Sequence, residues 1–167
     1  MQYKRIFRAM LCGSAMLCIS MPAFSVSAIA TINVTVARFL SIKNINSLEF
    51  GSVSVSSSAG SVLIDANGMR FASGGVTINP AGSFAPAKFI VEGKPDADFA
   101  IILPNTVELR DGNGNTIKVD NFKANAETSK LDSNGLLEIT VGGQINLDAN
   151  QTSGDYSGIM ILELGYS

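Results

Sequence analysis

Apolar and polar residues alternate every two positions along most of this chain. Ile32, Val34 and Val36 interleave with Asn33, Thr35 and Ala37, the period of a strand that buries one face. The same texture predicts strands over 48–55, 61–65, 75–78, 87–92, 99–103, 106–109, 116–120, 137–147 and 156–166. Clusters of Gly, Asn, Asp and Ser separate them, and short strands at that spacing predict an all-β, antiparallel sandwich.

The clearest hairpin joins Val107 and Leu109 to Ile117 and Val119 through Arg110-Asp-Gly-Asn-Gly-Asn115. Gly and Asn reach positive φ at little cost, which a tight turn requires. Residues 121–134 hold the only helix-friendly stretch, predicting one short helix or a solvated loop. Gly142-Gly143 interrupts a strand pattern and predicts a bulge or a close backbone approach. No internal repeat stands out.

The first residues follow a different pattern. Lys4, Arg5 and Arg8 precede an uncharged apolar run from Ala9 to Ile19, which ends near Pro22 and a group of small residues. That is the plan of a secretory signal, with cleavage expected after Ala28 and with Ser25 and Ala30 as competing sites. The run is too short for a spanning helix, which needs about 20 apolar residues. The expected organisation is a signal peptide over 1–28, an N-terminal strand or extension over 29–42, and a sandwich domain over 43–167. No membrane span is expected in the exported part.

Cleavage there removes Cys12 and Cys18, the only two cysteines. The exported domain then has no disulfide, and packing or a partner must stabilise it. It retains all 14 acidic residues but loses three of the 12 basic ones. A cationic nucleic-acid footprint is absent, so no nucleic acid is expected as a partner.

The chain has no His. Without His or Cys the exported domain lacks the commonest general base, the commonest zinc ligands and the thiol nucleophile. We expect no enzyme, no catalytic residue, no cofactor and no metal. Asp111, Asn113 and Asn115 copy the first three ligands of a calcium loop, but Thr116 stands where Gly is needed and Phe122 where Glu is needed. Asp96 and Asp98 sit in a polar turn between apolar strands. The absence of Trp weakens a glycan platform.

The two ends carry the most specific signal. Tyr166 is penultimate, Gly154 lies near the start of the last predicted strand, and Tyr156, Gly158, Met160, Leu162 and Leu164 alternate between them. This resembles the closing strand of chaperone-usher pilus subunits, particularly the disulfide-free pilin classes. Thr31-Ile-Asn-Val-Thr-Val-Ala37 resembles the donor strand that such a subunit lends to its neighbour.

The resemblance implies an immunoglobulin-like antiparallel β-sandwich that lacks one strand and is completed by a donor. It implies Ile32, Val34 and Val36 as donor-strand residues, and Gly154, Tyr156, Met160, Leu162, Leu164 and Tyr166 as the strand read by a chaperone or forming the acceptor groove. The implied partners are identical or related pilin subunits, a periplasmic chaperone and an outer-membrane usher. The implied location is the periplasm and then the cell surface, in a fimbrium. The physical mode is β-augmentation, for which pilin strand donation is a standard example.

The segments Leu48-Glu-Phe-Gly51, Phe89-Ile-Val-Glu-Gly93, Phe99-Ala-Ile-Ile-Leu-Pro104, Val119-Asp-Asn-Phe122 and Val141-Gly-Gly-Gln-Ile-Asn-Leu147 resemble a broader DUF4402-like family of secreted bacterial domains of unknown function. Leu40 and Ile42 continue the parity of Ile32 to Val36. That continuity leaves a second reading open, a self-contained secreted or periplasmic sandwich that binds an unknown ligand.

Overall fold

The structure, a computed structural model, describes residues 31–36, 38–125 and 128–166. The signal peptide expected over 1–28, with both cysteines, lies outside them. The chain divides into two units, Met1–Thr35 and Val36–Ser167. In the first, residues 31–35 carry neither strand nor helix, so the strand predicted from Ile32 onward is not formed there.

Among its described residues the second unit has ten strands and no helix. They are β1 (Ser41–Asn46), β2 (Val53–Ile64), β3 (Arg70–Ile78), β4 (Ala87–Glu92), β5 (Asp98–Ile102), β6 (Thr106–Arg110), β7 (Thr116–Ala124), β8 (Thr128–Lys130), β9 (Leu136–Leu147) and β10 (Glu163–Tyr166). All recorded pairs are antiparallel. Seven strands form one sheet and three form a second, ordered β10-β5-β8, giving the expected antiparallel sandwich.

The organising strand is β9. Its odd positions Ile139, Val141, Ile145 and Leu147 are buried, while Glu138, Thr140, Gln144 and Asn146 face outward. Along one edge β4 pairs with Leu136–Val141 and β2 with Gly143–Leu147; β7 occupies the other edge. One strand therefore serves two core clusters, one around Phe89, Val91, Phe99 and Leu131, the other around Val62, Val76, Ile117 and Val119. Phe99, Val91 and Ile139 are fully buried, each contributing about 1.5–3 kcal/mol of transfer free energy.

The predicted hairpin forms with Val107 opposite Val119 and Leu109 opposite Ile117. At the predicted irregularity, β7 gains a residue between Asp120 and Lys123, with Asn121 at φ 50°, opposite the Gly142–Gln144 stretch of β9. On the other edge the main chain of residues 64–66 presses against Gly142 and leaves no room for a Cβ.

The described residues of 121–134 do not form the short helix offered as one expectation. The bulge at Asn121 lets β7 continue to Ala124, and β8 follows. Strand-type burial of Phe122 and Ala124 against the core outweighs a weak local helix preference. Of the strand predicted over 48–55 only Val53–Val55 forms; it runs on into the one predicted over 61–65 as β2, with a register shift between Val55 and Gly60, while Glu49 makes only an isolated bridge to Ala85.

A repeat is present after all. Asp65-Ala-Asn-Gly68, Asp111-Gly-Asn-Gly114 and Asp132-Ser-Asn-Gly135 turn the chain in the same way. In each, one carboxylate oxygen of the Asp accepts hydrogen bonds from the main-chain N–H groups two and four residues on, at 2.8–2.9 Å. In each the Gly has φ between 80° and 86°, which a side chain would strain.

Candidate functional site

An open groove of about 1160 Å³ runs between residues 47–55, which lead from β1 into β2, and residues 151–160, which lead toward β10. It is larger than the roughly 300–1000 Å³ of ordinary small-molecule pockets. Val53 and Val55 line it from one side, Tyr156 and Met160 from the other, and Val107, Leu109 and Leu147 from the core. The four valines and leucines of β2 and β6 are only half-buried, unlike their neighbours Ile117 and Val119. Its charged lining residues are Glu49 and Asp155, both acidic.

The border of the groove is held by few main-chain bonds. β1 and β10 are each the end strand of their sheet. The strand predicted over 156–166 is real only at its ends, as a bridge between Ser157 and Arg110 and as β10 paired with β5. Ser157 faces Arg110 and Glu163 faces Ile102, so six steps along this segment oppose eight along the partner. Pro104 lies in that longer stretch and has no N–H to offer. Residues 158–162 consequently enter no ladder, although their side chains still alternate.

Met160, Leu162 and Leu164 are half-buried and pack against the first core cluster; Ile159 and Ile161 face outward and are exposed. Tyr156 packs against the second cluster, and its hydroxyl donates to the Thr152 carbonyl at 2.8 Å and accepts from the Gln151 amide at 3.2 Å. Tyr166 is partly exposed, and its hydroxyl is engaged within the domain. Ile32, Val34 and Val36 lie in the stretch without strand or helix, and their side chains are exposed.

At Gly154 a Cβ would first meet Asp111 Oδ2, at 3.4 Å, an ordinary distance. At Gly158 a Cβ would stand 2.8 Å from the Glu108 carbonyl and 2.9 Å from Leu109 Cδ2. The packing needs glycine at 158 more than at 154.

Sequence reasoning missed Arg70. Its guanidinium donates to the Phe50 carbonyl at 3.0 Å and to the Asn79 carbonyl at 3.4 Å, and lies 4.1 Å from the centroid of the Phe84 ring. It ties one border of the groove to the 79–84 loop. Nothing in the local pattern around Arg70 signals this, because its partners are 9 to 20 residues away.

Three carboxylates are engaged within the fold. Asp111 accepts from the Asn115 side chain at 2.7 Å and from two main-chain N–H groups, and these bonds, the Asn115 side chain first, hold its carboxyl below the usual aspartate range. Asp132 is lowered by the Leu136 main-chain N–H first and then by Asn134. Asp120 is lowered by the Asn146 side chain first and then by Lys118, whose Nζ is 3.1 Å away. Among the described residues no group of three or more His, Cys, Asp or Glu is placed to hold a metal. Among the described residues no helix is long and apolar enough to cross a membrane.

What the groove offers is main-chain and apolar recognition. An extended segment laid between its borders could pair with unpaired backbone and place alternate side chains on Val53, Val55, Val107 and Leu109. No curated protein and no solved structure matches the chain. A family model does match, over residues 40–166, nearly the whole sandwich. By that match the chain belongs to the family described as domain of unknown function DUF4402.

Proposed function

We propose that this protein is a structural subunit of a surface fimbrium, exported by its leader and polymerised by donor-strand exchange, with no catalytic role. In this reading residues 31–37 of one copy lie in the groove of the next, with Ile32, Val34 and Val36 directed at its apolar lining. A periplasmic chaperone would occupy the same groove before assembly, and an outer-membrane usher would organise the exchange. The observation that supports it is the groove itself, lined by Val53, Val55, Val107 and Leu109 and bordered by Gly158, Ile159 and Met160 of a segment that has no ladder partner. An edge left open in this way favours pairing with another chain.

The decisive experiment fuses a second copy of residues 31–39 behind Ser167 through a short flexible linker. Three buried side chains, each contributing about 1.5–3 kcal/mol before ordering costs, should raise the thermal midpoint by about 10 °C or more. If the unfused protein is already a stable monomer and the fusion leaves its midpoint unchanged, the sandwich is self-contained. The reading as a binding module would then replace this one.

A further inference from the structure

The penultimate residue is engaged inside its own domain. The Tyr166 hydroxyl accepts a hydrogen bond from the Lys94 main-chain N–H at 3.0 Å and donates one to the Arg38 carbonyl at 3.2 Å. Lys94 follows β4, and Arg38 stands three residues before β1. Gly93 makes room for the contact: a Cβ there would lie 2.7 Å from the Tyr166 hydroxyl oxygen, 2.9 Å from Leu131 and 3.0 Å from Leu40. β10 itself is held by β5, with Tyr166 opposite Phe99, which is fully buried. The hydroxyl is thus presented from a fixed strand to two main-chain groups at the same end of the β1–β4 pair, where Ser41 faces Glu92.

We infer that Tyr166 is a clasp that holds the root of the N-terminal segment and shields the peptide bond after Arg38 from proteolysis. The carbonyl it holds is the one a trypsin-like protease must attack. Such attack needs an extended, freely adaptable main chain with that oxygen released into the protease's own hydrogen-bond donors. Arg38 is the only Lys or Arg between residue 9 and Lys43, so this is the one bond in that stretch open to such an enzyme. Its scission would release the segment carrying Ile32, Val34 and Val36. That the segment merits protection rests on the donor-strand reading; the clasp does not.

The test is limited trypsin digestion of the purified monomeric protein, following by mass the fragment that begins at Phe39. Loss of one hydrogen bond of about 1 kcal/mol corresponds to roughly a fivefold change in the open population. Tyr166→Phe keeps the ring and should accelerate cleavage after Arg38 about fivefold, with little change at Lys118 or Lys123. Gly93→Ala displaces the hydroxyl from the other side and should do the same. In amide exchange, Lys94 should lose protection in both variants. Equal cleavage rates and equal Lys94 protection in the parent and in a folded Tyr166→Phe variant overturn the clasp. Failure of the strand-fusion experiment with accelerated cleavage here would remove the donor reading and leave the clasp standing.

Discussion

Asp65, Asp111 and Asp132 each close a tight turn by accepting two main-chain N–H bonds through one carboxylate oxygen. Asp132→Ala removes both acceptors and should lower the urea midpoint; Asp132→Asn, which keeps one side-chain oxygen, should lower it less. The folded-state values of Asp111, Asp120 and Asp132 are depressed. Their contribution is therefore fully present above the unfolded value near 3.9 and is lost as pH falls from about 4 through the folded values. Urea midpoints at pH 6 and pH 3 should differ less for Asp132→Ala than for the parent. An equal difference would show that the turn does not carry this sensitivity. The Asp-x-Asn-Gly signature of these turns is legible in the sequence, because each of its hydrogen bonds spans four residues or fewer.

At the scale of elements, β4, β6 and β9 match their predicted ranges to within a residue or so, because in each a two-residue period sets a more buried face against a more exposed one. The last strand does not. Its period continues from Tyr156 to Tyr166, but the ladder breaks where six steps oppose eight. Amides of residues 158–162 should exchange faster than those of Ser157 and of β10, and should slow in the strand-fused protein. Uniform protection from Ser157 to Tyr166 in the unfused protein would contradict the open edge. Gly158→Val forces a side chain into Leu109 and should cost about 1–3 kcal/mol by overpacking, measured by urea unfolding; Gly154→Ala should cost much less.

For the whole molecule, burial is concentrated in the two clusters that β9 serves and thins out along the groove. Phe99→Ala, at the fully buried centre of the first cluster, should cost about 3–5 kcal/mol in urea unfolding. Val55→Ala, on the groove, should cost distinctly less in the unfused protein and more once the added strand covers it. On the proposed function, the purified protein forms ladders that survive mild detergent, and deletion of residues 31–37 abolishes them while leaving a folded domain. Ladders that persist after the deletion would show that another surface drives assembly.

The two-residue period along the chain, by itself, determined an all-β antiparallel sandwich, the principal hairpin and most strand positions, since alternation needs only a buried face and a solvated one. It also exposed the poverty of reactive groups, which no packing could supply. Tertiary structure alone decided that β9 serves both core clusters, that Arg70 ties down one border of the groove, that glycine matters at 158 more than at 154, and that Tyr166 turns inward to Arg38 and Lys94. Each of these depends on residues brought together across the fold: how many residues lie between two paired strands, or which carbonyl a distant side chain can reach, is set when the sheets close and is invisible in a local pattern.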